Sequence, residues 1–102
     1  MGLLAELSLR GKRVLLIGGG KQALRKAKKL QKQGAFLTAV APSFLEGFFT
    51  ICDRVLTQSY DRSLIAGSFL VIAATDNPEL NHQIVQDANE QGALSMLSLI
   101  HI

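Results

Sequence analysis

Gly18, Gly20 and Ala23 stand at the spacing G-x-G-x-x-[GA], within the stretch VLLIGGGKQA that occupies residues 14–23. Residues of these types at this spacing suit one task, bringing a pyrophosphate against a polypeptide backbone. The first glycine lets the chain leave a strand in a tight turn, the second lets the backbone approach the phosphates, and Ala23 keeps the next helix close to a sheet. The start of that helix offers free N–H groups and a partial positive charge to the anion. Gly19, Lys21 and Gln22 complete the candidate loop. A glycine-rich turn can also join strand to helix with no ligand at all. The apolar run before this one and the helical pattern after it favour the dinucleotide reading.

Few other residues carry obvious chemistry. Cys52 is the single cysteine, which excludes an internal disulfide, suits a reducing cytoplasm and has no metal-ligand partner in the sequence. It reads as a helix-packing residue, and no metal site is expected. His82 reads as an exposed helix residue. Charge is distributed unevenly: residues 1–51 hold nine lysines and arginines against two acids, and residues 52–102 hold two against six. The excess in Arg10, Lys12, Arg13, Lys21, Arg25, Lys26, Lys28, Lys29 and Lys32 would attract an anion, or is simply a solvated helix face. A nucleic-acid partner is not expected, because the basic segment lacks interleaved aromatics and any recognisable nucleic-acid module. Neither is a membrane partner: no apolar run approaches a membrane span, and the first nine residues show no signal peptide.

These residues must be positioned by the elements around them. At 102 residues the chain is expected to form one domain, too short for both halves of a full dinucleotide fold. Residues 13–18 are apolar without alternation, as in a parallel strand covered on both faces. Ala23, Leu24, Ala27 and Leu30 recur at helical spacing up to a stop at Gly34. A second strand covers residues 35–41. Ser43 is the expected N-cap of a short helix through Phe44, Leu45, Phe48, Phe49 and Cys52, with the aromatics as core. Residues 55–59 read as a third strand, 62–66 as one helical turn and 68–73 as a buried strand. A helix begins near Asn77 and Pro78, capped by Asp76 or Asn77, with Leu80, Ile84, Val85 and Ala88 as its buried stripe. Gly92 ends it, and residues 93–97 begin a fifth strand.

Strands alternating with helices imply an α/β fold of Rossmann-like, three-layer form, with a five-stranded parallel sheet ordered 3-2-1-4-5. Ligands of such sheets sit at the carboxyl ends of the strands, where the winding reverses. Three loops converge there, residues 18–22, 41–44 and 74–77. An acidic residue normally holds the ribose after the second strand, but this chain has Val40, Ala41, Pro42 and Ser43. Ser43 or backbone groups are left for that task, and no arginine or lysine follows the strand to favour NADP.

The stretches GKRVLLIGGGKQALRKAKKLQKQGAFLTAVAP and FLVIAATDNPELNHQIVQDANEQGAL make the chain resemble, from about Leu7 to Leu97, the amino-terminal domain of siroheme synthases. Within that group it is similar to the precorrin-2 dehydrogenase family, which includes bifunctional sirohydrochlorin ferrochelatases. The triple glycine with Ala23, Arg25, Lys26 and Ala27, the V-A-P after the second strand, and AATD with Asn81 carry the resemblance. It implies a cytoplasmic NAD-binding domain for oxidation of precorrin-2 to sirohydrochlorin, in a family of homodimers. It also implies cofactor contacts at Gly18, Gly19, Gly20, Lys21, Gln22, Pro42 and Ser43, with Thr75 and Asp76 in the third loop. Asp76 is expected to line the cofactor or, slightly favoured, to cap the helix.

The resemblance weakens at the carboxyl end. Family members place a candidate acid/base aspartate where this chain has Ser98, and a serine needs a neighbouring base to accept a proton near neutral pH. No catalytic residue is therefore assigned. The closing LSLIHI reads as a translated adapter, so the expectation is an open reading frame cut short. Two other classes of function compete with the enzyme: a non-catalytic nucleotide-sensing module, and a nucleic-acid binder whose affinity would depend steeply on salt.

Overall fold

Val14, Leu15, Leu16 and Ile17 are all nearly inaccessible to water, so the strand that contains them must be covered on both faces. The structure, a computed structural model, describes residues 9–97. Ser98 and the tail beyond it lie outside the described residues, as does the beginning of the chain. Within them, β1 (Arg13–Ile17) is the middle strand of a five-stranded sheet, with β2 (Phe36–Ala41) and β3 (Arg54–Thr57) on one side. On the other side lie β4 (Leu70–Ala73) and β5 (Leu94–Leu97). All pairings are parallel and the order is 3-2-1-4-5, the Rossmann-like arrangement expected from the alternation of strands and helices.

Two helices cover one face of the sheet. α1 (Lys21–Lys32) buries Ala23, Ala27 and Leu30, the residues of its apolar stripe, and leaves most of its cations in solvent. α2 (Phe48–Ile51) adds Phe48, and both pack on Val14, Leu16, Leu37, Ala39 and Ile72. The other face is covered by a 3-10 turn (Arg62–Ile65) and by α3 (Pro78–Glu90), which bring Ile65, Ile84 and Ala88 onto Leu15, Ile17, Val40 and Val71. This gives three layers. No helix among the described residues is long and apolar enough to cross a membrane.

The segment after β2 departs from expectation. Ser43 caps no helix: α2 begins only at Phe48, and its N-cap is Gly47 at φ 108°, a backbone shape that a side chain would resist. Residues 43–46 instead form the rim of the sheet's carboxyl end, tied by the Leu45 N–H donating to the Gly19 carbonyl at 2.9 Å. The aromatics divide accordingly. Phe48 is fully buried, Phe44 is half-buried against it, and Phe49 is 67% exposed. Cys52 falls just beyond the helix, half-buried against the core.

Candidate functional site

A cleft of about 910 Å³ opens at the carboxyl ends of the strands. That is within the range of small-molecule and cofactor sites, roughly 300–1,000 Å³. All nine residues expected to hold a ligand line it: Gly18, Gly19, Gly20, Lys21, Gln22, Pro42, Ser43, Thr75 and Asp76. Topology explains the convergence, since the loops after β1, β2 and β4 emerge side by side where the chain changes direction.

The three glycines do different work. Gly18 turns the chain at φ 144°, and a Cβ there would overlap the Ala74 carbonyl oxygen. A Cβ on Gly19 would overlap the Ser43 carbonyl oxygen, so this glycine packs the first loop against the second. The spacing rule leaves that position free, and only the fold shows why it is small. Gly20 is different again, because a Cβ on it meets nothing within 4 Å. Its φ of −99° is also open to any residue. The space over Gly20 is cleft, and a side chain there would fill it.

α1 therefore begins without a lid. No side chain caps it, its first turn contains no acid, and the N–H groups of Lys21, Gln22 and Ala23 have no partner within the helix. An anion placed over Gly20 would meet these donors and the positive end of the helix dipole. The residues present fit a dinucleotide: open backbone for a pyrophosphate, then Pro42 and Ser43 beside it after β2. Further along α1, Lys26 is held below its ordinary range, chiefly by burial and then by the like charge of Lys29.

The third loop is fixed by a residue that carried the motif but had no assigned task. The Asn81 side chain accepts from the Thr75 N–H at 3.1 Å and donates to the Thr75 carbonyl at 3.0 Å. It thus replaces, for this residue, the strand partners lost at the end of β4. The cap of α3 also corrects expectation. Asn77 Oδ1 accepts from the N–H groups of Glu79 and Leu80 at 3.0 and 3.2 Å, so Asp76 is not the cap. Asp76 stands exposed at the cleft, the one carboxylate among its described lining residues. His82 is exposed on α3, as its position suggested.

Tyr60, unnoticed in the sequence, also lines the cleft, as does Leu80, which was read there only as part of a buried helix stripe. The Tyr60 hydroxyl donates to Asp87 Oδ2 at 2.6 Å, and Asp87 is a buried carboxylate, only 3% exposed. The hydrogen bond from Tyr60 first, with help from Gln83 and Arg62, holds Asp87 below the usual carboxylate range against the effect of burial. Tyr60 is correspondingly pushed above its ordinary value, by burial and by this same bond. Burial first, and then the neighbouring Asp53, raise the Cys52 thiol to about 11, which disfavours the thiolate.

Comparisons with known proteins agree with this fold. The NAD(P)-binding family model NAD_binding_7 matches residues 6–97. Siroheme synthase 2 of Aeromonas salmonicida is 44% identical over 86 residues, which are 82% of this chain and 18% of that protein. Siroheme synthase of Azotobacter vinelandii is 41% identical over 92 residues, 83% of this chain and 19% of that one. The chain thus spans less than two-thirds of the length of either curated relative. Among solved structures, SirC, precorrin-2 dehydrogenase, matches with a TM-score of 0.75 at 27% identity, covering 93% of this chain and 49% of that one. An N5-carboxyaminoimidazole ribonucleotide synthetase solved with ADP shares the fold, with a TM-score of 0.65 at 21% identity over 85% of this chain and 24% of that one. A glycine turn with open space above its third glycine, a parallel sheet in the 3-2-1-4-5 order and a family match along nearly the whole chain lead to one statement: this chain belongs to the NAD(P)-binding family, and its relatives there are siroheme synthases.

Proposed function

We propose that this chain is the NAD-binding domain of a precorrin-2 dehydrogenase, which oxidises precorrin-2 to sirohydrochlorin on the way to siroheme. The observation that carries the reading is the open start of α1, with nothing over Gly20 and no side-chain cap. The names of the relatives and of the solved neighbour supply the reaction. When bound, the cofactor supplies the nicotinamide ring as hydride acceptor.

The chain's own residues do the holding. The N–H groups of Lys21 and Gln22 bind the pyrophosphate, with the Lys21 ammonium nearby. Pro42 and Ser43 take the ribose in place of the acidic clamp, and Thr75 and Asp76, fixed by Asn81, form the opposite wall. The exposed cations of α1, among them Arg25, Lys28 and Lys29, form a field that would draw in a tetrapyrrole bearing many carboxylates. The reading is of a cytoplasmic protein acting on a small anionic substrate, with neither membrane nor nucleic acid as partner.

Thermal unfolding in the presence of NAD tests this. The expected result is a rise in Tm with NAD concentration, because a ligand that binds only the folded state stabilises it. No shift at millimolar NAD contradicts the proposal.

A further inference from the structure

Asp87 is the one charged or polar residue among the described core, and nothing in the cofactor loops uses it. Burying a carboxylate is costly unless it is fully partnered, so its partners indicate what it is for. Gln83 Nε2 donates to Asp87 Oδ1 at 2.9 Å from the same helix, and Arg62 approaches that oxygen at 3.7 Å. The closest partner is Tyr60, on the segment that follows β3, and Tyr60 is a wall of the cleft. Its hydroxyl is committed to Asp87, and the half-buried side chain packs on the core with Leu80 while both residues line the cleft.

The position of this wall says which part of a dinucleotide meets it. The pyrophosphate belongs over residues 18–22, and the ribose whose 2′-hydroxyl marks NAD from NADP belongs after β2. Tyr60 follows β3, one strand further out in the same direction. A ligand that runs from the glycine turn past Pro42 and Ser43 therefore brings its adenine, not its nicotinamide, toward Tyr60.

Resting on the NAD-binding reading above, we infer that the Tyr60 ring is the platform for the adenine, and that Asp87 is a positioning residue that holds the ring there through the phenol. Base-on-aromatic packing tolerates the loss of the hydroxyl but not of the ring. Loss of the tether frees the ring without removing it.

The chain has one tyrosine and no tryptophan, so its tyrosine ring signals in a proton NMR spectrum report Tyr60 alone. The full chain is titrated separately with NAD, adenosine monophosphate (AMP) and nicotinamide mononucleotide (NMN). The expected result is an upfield shift of the Tyr60 ring protons with NAD and AMP and little movement with NMN. In calorimetric titrations, Tyr60→Ala should weaken NAD and AMP about tenfold or more, from lost base stacking. Tyr60→Phe and Asp87→Leu should each weaken them about fivefold, from one lost hydrogen bond, and the double variant should do no worse. Asp87→Asn keeps an oxygen for the phenol and should restore most of the affinity. A merely structural pair would lower Tm but change AMP and NMN affinities equally, which overturns the inference. So does a ring that stays silent while NAD binds, an outcome that leaves the NAD-binding reading standing. Failure of the unaltered chain to bind any of the three ligands overturns both.

Discussion

α1 and α3 both begin where a central strand of the sheet ends, β1 for one and β4 for the other, and both open onto the same cleft. Their first turns are built in opposite ways. α3 is closed: Asn77 caps two of its N–H groups, Pro78 removes a third donor, and Glu79 supplies a negative charge in the first turn. α1 is open, with a glycine at the N-cap, no capping side chain and no acid. A helix that satisfies itself has no use for an external anion, whereas one left unsatisfied beside a cleft is built to receive it. The proposed pyrophosphate site thus rests on what α1 lacks as much as on the glycines it has.

The comparison can be broken most severely at the turn before α1. Gly18→Val or Gly19→Val places side-chain atoms on the Ala74 or Ser43 backbone and should cost on the order of 3 kcal/mol or more, read in urea unfolding. Gly20→Asp tests the opposite property, since it gives α1 the kind of cap that α3 has. Its stability should stay within about 1 kcal/mol of the parent, because the site is open and aspartate is a good N-cap. Its NAD affinity should nevertheless fall by about a hundredfold or more, through a carboxylate set against the pyrophosphate.

Opening α3 should have the reverse profile. Asn77→Ala is expected to lose about 1 kcal/mol of stability in the same urea measurement. Its effect on NAD affinity should be far smaller than that of Gly20→Asp. A gentler test uses acid. Asp87 in α3 is held below the carboxylate range, so its contribution to stability is present above the unfolded value and is lost as pH falls through the folded one. Urea midpoints measured down an acid series should fall less steeply for Asp87→Asn than for the parent. The smallest effect is expected at Lys21→Ala, about a two- to threefold loss of NAD affinity, because an exposed ammonium near a helix start adds little in salt.

Much of this site could be read from the sequence, for physical reasons that its gaps also show. Gly18, Gly20 and Ala23 were legible from their spacing, and Pro42, Ser43, Thr75 and Asp76 from the family resemblance together with a strand order that brings their loops side by side. The purpose of Gly19 was not, because its contact with Ser43 joins two loops and leaves no periodicity in the chain. The helix start at Gly47 was hidden for a similar reason: Ser43 has the chemistry of a cap, but the backbone around it is already tied to Gly19. Choosing between Asp76 and Asn77 as the cap needed the geometry of the turn, since both side chains can accept. Asp87 lies beside the apolar stripe of α3, where charge argues for solvent, and the partners that make its burial tolerable, Tyr60 and Arg62 among them, come from a distant segment. Ser98, where the resemblance implies a candidate acid/base, lies outside the described residues.

The central claim, that the open end of α1 and not the closed end of α3 receives the anion, is tested most directly by following backbone amides one at a time. In nitrogen-edited NMR spectra of the full chain, NAD should move the amide signals of Gly20, Lys21 and Gln22 most, and pyrophosphate alone should move the same set. Shifts concentrated at Glu79 and Leu80, or none at the start of α1 while NAD is bound, would contradict it.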